Sequence, residues 1–315
     1  MTHSRAAWLG EIATAVFIGI IALIAQSSGF AYLLFPELGA LSHDILKRPH
    51  GTWAKAPLML VVTPFLAGVV GTLVTRHMEY GLVSVLLTVG SAILIIRLLH
   101  SPIAPAISAG LLPLTLGLSS WWYPPSLLVG LGLLAGISLA WRRIAPPPPS
   151  VASISDLTDD LVEEAPQDYS WVPFFLVFLV GMILLVDATG WHFLLFPPLV
   201  VIGFEMFAHA AICPWAGRPL ALLIACISSA TMGVVLVGAL GAGPVATVCS
   251  ILFSAGVLRA FNLHAPPALA IGLLPLVIPD PGYVFVVSVG IGTLLLTMSF
   301  LAWRRIGETK TATTR

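Results

Sequence analysis

The hexapeptide Leu139-Ala140-Trp141-Arg142-Arg143-Ile144 occurs twice in the chain, and its second copy spans residues 301–306, an offset of 162 residues. At the same offset further residues recur: Trp53 as Trp215, Pro57 as Pro219, Arg97 as Arg259, and Pro113 as Pro275. An apolar composition does not readily produce Trp, Pro and Arg matches in one order at one spacing. The sequence therefore predicts a tandem duplication, with copies at about 1–144 and 171–306.

The composition predicts a membrane protein. Hydrophobic residues make up 58% of the 315 residues and charged residues 9%, with a mean hydropathy of +1.02. Soluble domains carry about 25% charged residues, so this composition excludes a soluble globular enzyme. Eight apolar runs are long enough to cross a bilayer: 7–27, 56–76, 80–99, 122–141, 171–189, 219–240, 243–262 and 283–303. The predicted fold class is an all-α membrane protein.

Four shorter apolar segments are interrupted by Pro, Gly and ionisable residues. They span about 29–46, 102–118, 190–212 and 265–280. The segments 102–118 and 265–280 are expected to be broken helices that do not cross, whereas full crossing of 29–46 is left open. Each half then has four spans, and an even number gives both halves the same orientation.

Residues 145–170 separate the two halves and hold six acidic residues after the prolines 146–149. This linker is expected to be solvated, to carry at most a short surface helix through Leu157, and to be needed only as a connection. Residues 307–315 are expected to form a polar tail. Arg142, Arg143 and Arg304 predict that the termini and the linker are cytoplasmic, in a cell inner membrane. Lys47, Arg48 and Lys55 would then lie outside, against this rule.

Sequence motifs indicate no enzyme. The chain contains no H-E-x-x-H, G-x-S-x-G or P-loop motif, so we expect no catalysis, cofactor or metal. Cys213, Cys226 and Cys249 are read as apolar residues, not as disulfides or zinc ligands. The basic residues form no patch for nucleic acid. The expected partners are the lipid bilayer and a small inorganic anion, with a homo-oligomer allowed.

Intramembrane ionisable residues that occur in both halves are the candidate site. These pairs are Arg97 with Arg259, His100 with His264, and Asp44 with Glu205. Short helices are expected to begin at Pro105-Ala106 and at Pro267-Ala268, with unpaired N–H groups that would bind an anion together with the Arg and His side chains. Other interpretations remain open: the arginines as topogenic anchors, the histidines as helix caps, and the carboxylates as partners of Lys47 or the arginines.

These segments resemble the HPP family of small membrane proteins. The second half reads Arg259-Ala-Phe-Asn-Leu-His264-Ala-Pro-Pro267-Ala268 and the first reads Arg97-Leu-Leu-His100-Ser-Pro102. The family motif has an Arg upstream of His-Pro-Pro-Ala, whereas here an extra residue separates His from Pro in both copies. The resemblance implies two HPP-like repeats of four spans each and small-anion transport, with nitrite as the first candidate.

The function expected from the sequence is therefore a transporter or channel for a small monovalent anion. Asp44 and Glu205 would hold the arginines and histidines in place or relay protons. The alternative is a membrane scaffold in which the broken helices are purely structural, and an intramembrane enzyme is a third interpretation.

Overall fold

The structure is a computed structural model that describes residues 3–145, 154–166 and 168–313, and these residues form helices and no strand. The first half comprises α1 (His3–Ser28), α2 (Pro36–Lys47), α3 (Thr52–Lys55), α4 (Pro57–His77), α5 (Leu82–Leu99), α6 (Ala106–Leu116) and α7 (Tyr123–Ile144). The linker contains α8 (Ile154–Val162). The second half comprises α9 (Val172–Thr189), α10 (Pro197–Ala208), α11 (Pro219–Leu240), α12 (Pro244–Ala260), α13 (Pro267–Leu273) and α14 (Tyr283–Thr313).

Seven helices in the described part of the chain are long and apolar enough to cross a membrane, which confirms the all-α membrane class. They are α1, α4, α5, α7, α9, α11 and α14. The eighth predicted span, 243–262, forms α12, which has 17 residues and is about 25 Å long at 1.5 Å per residue. This length is slightly below the thickness of the hydrocarbon core.

Four short helices form the interior of the bundle. Consecutive residues are buried on all sides over Pro36–Leu46 of α2, Ala106–Thr115 of α6, Pro197–Phe207 of α10, and the whole of α13. A helix that contacts protein on every side needs no lipid-facing surface of bilayer length. This location explains why these segments tolerate proline and polar residues.

The order of the long and short helices is the same in the two halves, and the halves interlock. The first helix of each half packs against the other half, α1 on α12 and α9 on α5. The short helices also pack across the two halves: α2 packs on α13, and α10 packs on α6. The core of the molecule therefore lies between the halves as well as within each half.

Glycines allow the closest helix crossing in each half. An added Cβ on Gly71 of α4 would lie 1.9 Å from the carbonyl oxygen of Gly110 in α6. An added Cβ on Gly233 of α11 would lie 2.4 Å from the carbonyl oxygen of Gly272 in α13. Both glycines therefore allow close helix packing.

The segment around α6 runs alongside α4. Near the start of α4, Nε1 of Trp53 donates to the carbonyl oxygen of Pro102 over 3.0 Å. Near the end of α4, Nη1 of Arg76 donates to the carbonyl oxygen of Ser119 over 2.7 Å. Residues 102 and 119 therefore lie toward opposite ends of α4, an arrangement that favours a crossing by 102–118 over the non-crossing segment expected from the sequence. The rule that a span needs about 20 residues applies to helices in lipid, and α6 is inside protein.

The basic loop after α2 lies at the same end of the bundle as the end of α7. Nε1 of Trp141 donates to the carbonyl oxygen of Leu46 over 3.1 Å, and Nη1 of Arg142 donates to that of Ala54 over 3.3 Å. We call this end, where α8 also lies, the linker face, and the opposite end, with Arg76 and Ser119, the far face. Lys47, Arg48 and Lys55 thus share a face with Arg142, so the conflict with the positive-inside rule disappears.

The ends of three helices depend differently on their sequence. Helix α6 passes through Pro113 and ends at Gly117, whose φ of +66° suits a glycine. Helix α14 extends to Thr313 and includes most of the predicted polar tail. In contrast, α13 ends at Leu273, and residues Leu274–Leu276 around Pro275 form a 3₁₀ turn.

Candidate functional site

Seven ionisable residues meet at the linker face, between the two halves and the linker. We call them the central cluster: Asp44 and Arg48 from the end of α2, Asp159, Asp160 and Glu163 from α8 and its end, Glu205 from α10, and His264 before α13. Asp44, Glu163 and Glu205 have at most 4% of their surface exposed. Most of the cluster is therefore shielded from water.

Arg48 connects the first half to the linker. Its Nε donates to Oδ1 of Asp44 over 2.7 Å, and its Nη1 donates to Oδ1 of Asp160 over 3.1 Å. Its Nη2 donates to Oε1 of Glu163. Asp44 thus forms an ion pair with Arg48, one helical turn later in the chain. This agrees with the interpretation of Asp44 as an ion-pair partner, but the partner is neither Lys47 nor Arg97.

His264 faces the same carboxylates from the second half. Its Nε2 lies 3.6 Å from Oδ1 of Asp44 and 3.7 Å from Oε1 of Glu163. Its Nδ1 lies 3.6 Å from Oδ2 of Asp159. The imidazole is therefore placed between the carboxylates of α2 and those of α8.

A small cavity adjoins the cluster and is lined by residues of both halves. Its walls are Trp53, Asp159, Val162, Glu163, Glu205, Trp215, His264 and Pro266. Trp53 and Trp215, which the sequence repeat pairs, are both buried here. Among the described residues, no group hydrogen-bonds to Nε1 of Trp215 or to Oε2 of Glu205. Buried polar groups without a partner are rare in proteins and point to a ligand or water.

Helix α8 covers the cluster, and the expectation of a solvated linker is wrong for it. Thr52 donates from its backbone N to Oδ1 of Asp160 and from its Oγ1 to the carbonyl oxygen of Asp160, over 3.2 Å in both cases. Val162 and Glu163 are each 4% exposed. An acidic segment is normally solvated, but here the Arg48 guanidinium lies beneath it, and His264 faces the same carboxylates. The prolines 146–149 lie outside the described residues.

Burial raises the pKa of the Glu163 carboxyl group well above its ordinary value. The main cause is the loss of water around the carboxylate, and the negative charge of Asp44 acts in the same direction. Arg48 opposes both effects and is outweighed. When α8 is packed on the cluster, Glu163 therefore favours its protonated form.

The structure does not bring the two predicted Arg–His pairs together. The guanidinium of Arg97 lies over the ring of Tyr169, 4.5 Å from its centroid. Arg259 lies over Trp8 at 4.3 Å and pairs with Glu11. Each arginine thus contacts residues near the first helix of the other half, at a cation–π distance. These contacts favour the anchoring interpretation of both arginines.

The prediction that His100 and His264 occupy equivalent positions of the repeat is wrong. His100 and Asn262 both end a helix in the left-handed conformation, with φ of 48° and 45°. The amides that follow them, of Ser101 and Leu263, donate to the carbonyl oxygens of Ile96 and Leu258 over 2.9 Å. His100 is therefore an exposed helix cap, and only His264 belongs to the cluster.

The first amides of the short helices already have partners. At α6, the N–H of Ala106 donates to Ile103 and that of Ile107 to Ala104. At α13, the N–H of Ala268 donates to Ala265 and that of Leu269 to Pro266. Pro105 and Pro267 have no N–H to offer. The anion site expected from unpaired amides at these positions is therefore not formed.

A further carboxylate lies deeper along α2. Glu37 precedes Asp44 by seven residues, or two helical turns, so both lie on one face of the helix about 10 Å apart. Glu37 is 1% exposed, and none of the described residues hydrogen-bonds to either of its carboxylate oxygens. This spacing is visible in the sequence, but the burial of Glu37 is not.

Comparisons with protein-family models, with curated proteins and with solved structures find no match to this chain.

Proposed function

We propose that the protein is an integral membrane transporter or channel that binds a cation at the central cluster. The observation that supports this proposal is the pair of buried carboxylates Asp44 and Glu205, one near the end of each of the short helices α2 and α10. Ionisable residues within helical membrane bundles are costly and mark ion pathways in many proteins.

The charge of the cluster favours a cation over the anion expected from the sequence. Five carboxyl groups face one arginine and one histidine there, so acidic groups outnumber basic ones. Buried charge without an opposite charge is unfavourable unless a ligand or a proton neutralises it. The anion hypothesis, with nitrite first, needs a positive centre, and Arg97 and Arg259 are engaged elsewhere.

Glu37 supports a path that continues inward. A cation or proton at Asp44 would find the next carboxylate two turns deeper, on the same face of α2. Carboxylates spaced along a helix are a common arrangement for moving protons or cations through a bundle.

We further propose that the linker face is cytoplasmic, in a cell inner membrane. Arg76 is the one Lys or Arg at the far face among the residues the structure describes, whereas Lys and Arg are common in the loops and helix ends of the linker face. Descent of the two halves from one duplicated unit, and membership of the HPP family, also remain proposals.

Reconstitution into liposomes tests the function. We expect a gradient of protons, alkali cations or divalent cations to drive flux, and Asp44→Asn to reduce that flux by at least about tenfold by removing a charge from the pathway. The matched control is Asp187→Asn, an exposed carboxylate at the far face. Nitrite flux is measured in the same liposomes, with Arg259→Gln as its variant.

The outcomes separate the candidate functions. Cation flux that depends on Asp44 supports the proposal. Nitrite flux that depends on Arg259, without cation flux, supports the anion hypothesis instead. A folded protein that conducts none of these ions overturns the proposal and favours a membrane scaffold.

A further inference from the structure

We propose that Asp44, Glu163 and His264 form a binding site for one divalent transition-metal ion, such as Mn²⁺, Fe²⁺ or Zn²⁺. Each of the three residues comes from a different part of the chain: the first half, the linker and the second half. The inference names the cation of the proposed function, and in that respect it rests on that function.

The ligand atoms are close enough for one ion. One atom of each of the three residues lies within 4.8 Å of the others. Bonds of 2.0–2.2 Å to nitrogen and oxygen place opposite ligands up to about 4.4 Å apart. Rotations of the three side chains would bring these atoms around one ion.

Arg48 leaves the required oxygens available. It occupies Oδ1 of Asp44 and Oε1 of Glu163. Among the described residues, no group hydrogen-bonds to Oδ2 of Asp44 or Oε2 of Glu163, and both oxygens are buried. In this arrangement, the guanidinium fixes the orientation of both carboxylates, and their other oxygens can coordinate the ion.

Glu205 is a separate observation that points to a ligand. Its carboxylate lines the adjoining cavity, it is 1% exposed, and none of the described residues donates to its Oε2. A cation in the cavity would provide the missing interaction, either directly or through a bound water. Trp215 Nε1, which also lines the cavity, could donate to such a water.

The histidine has the orientation seen in metal sites. Its Nε2 faces Asp44 and Glu163, whereas its Nδ1 faces Asp159 at 3.6 Å. A ligating histidine usually turns its second nitrogen to a carboxylate, which fixes the ring and increases its basicity. Asp159 is placed to act in this way as a positioning residue.

The set of donors indicates the class of metal. Mg²⁺ and Ca²⁺ prefer sites made of oxygen alone. An imidazole nitrogen combined with carboxylates suits Mn²⁺, Fe²⁺ and Zn²⁺, and the absence of a cysteine sulfur argues against Cu⁺.

Metal binding is measured on the full-length protein in detergent after treatment with a chelator. Titration with Mn²⁺, followed by electron paramagnetic resonance of the free ion, should show one saturable site per chain. Glu163→Gln and His264→Gln should each weaken binding by at least about tenfold. The matched control is Asp168→Asn, an exposed linker carboxylate outside the central cluster that accepts hydrogen bonds from Ser170, and it should bind like the wild type. An equal concentration of Mg²⁺ should not compete.

A direct spectroscopic test does not depend on affinity. Pulsed electron paramagnetic resonance of bound Mn²⁺ should show coupling to an imidazole nitrogen, and His264→Gln should remove this coupling. The absence of saturable binding, or variants that bind as the wild type does, overturns the inference. Metal binding without any flux would retain the inference and reject the proposed function. Flux of another cation without metal binding would reject the inference and retain the proposed function.

Discussion

Arg48 and Asp160 are 112 residues apart in the chain, yet Nη1 of Arg48 lies 3.1 Å from Oδ1 of Asp160. This contact joins the loop after α2 to the linker helix. Since Arg48 also binds Asp44 and Glu163, one side chain neutralises charge from two separate segments. The linker is therefore part of the site and does more than connect the halves.

Arg48→Gln should destabilise the protein by about 3 kcal/mol, because it leaves buried carboxylates without their charged partner. Unfolding in a mild detergent, followed by circular dichroism, measures the change. Lys55→Gln is the control, since Lys55 is an exposed basic residue in the same region, and it should change stability by less than about 0.5 kcal/mol. Equal stability of both variants would contradict this account of the cluster.

Docking of α8 should weaken as the pH rises. The pKa of Glu163 is raised in the docked state, so docked α8 holds its proton more tightly than free α8 does. Docking is therefore strongest below the ordinary carboxyl pKa of about 4.3 and is progressively lost as the pH rises toward the docked value. The pH dependence of docking also reflects the charged groups that act on the Glu163 carboxyl group, which are Asp44, Arg48, Asp160 and Glu205.

The mobility of a spin label on Leu157→Cys measures this docking, because Leu157 is an exposed residue of α8. The label should become more mobile between pH 5 and pH 9. Adding Glu163→Gln, which keeps the side chain uncharged, should flatten the response. An identical pH profile in the two proteins would rule out Glu163 as the titrating group.

Gly71→Ala and Gly233→Ala should each destabilise the protein by about 1–3 kcal/mol. The added methyl group meets backbone of the crossing helix, so the two helices must move apart. Gly132→Ala in α7 is the control, since an added Cβ there meets nothing within 4 Å, and alanine favours the helix by about 1 kcal/mol. Thermal unfolding compares the three variants with the wild type, and unchanged stability of Gly71→Ala and Gly233→Ala would contradict the crossing geometry.

Cysteine labelling should place His100 and Ser119 on opposite sides of the membrane. Both positions are exposed and flank the segment that contains α6. In a background without the native cysteines, an impermeant reagent should label Ser119→Cys from the side that does not label His100→Cys or Lys55→Cys. Labelling of all three from one side would restore the topology expected from the sequence.

Hydropathy and repeat analysis predict most of the fold but not its interlocking. Long apolar runs identify the lipid-facing helices, and the Trp and Pro matches identify equivalent positions in the halves. For segments such as 102–118, hydropathy is a weak guide to membrane crossing, because a helix surrounded by protein is not bound by the length that lipid imposes.

The candidate site is less predictable because its members are distant in sequence and only partly repeated. Asp44, Glu205 and His264 are recognised from their charge in apolar surroundings. Glu163 and Asp160 are missed, since acidic linkers are normally solvated and nothing local shows that Arg48 lies beneath them. The pairing of His100 with His264 fails because the cap geometry aligns His100 with Asn262, two residues earlier.

The packing of α1 on α12 and of α9 on α5 has a consequence for biosynthesis. The first helix leaves the ribosome more than 200 residues before the helix that covers its side is made. During that interval, lipid or the insertion machinery must shield the polar groups of α1, including Glu11, whose partner Arg259 is on α12. Final assembly is therefore a late event, and a ribosome that stops before residue 260 releases a chain whose first helix lacks its partner.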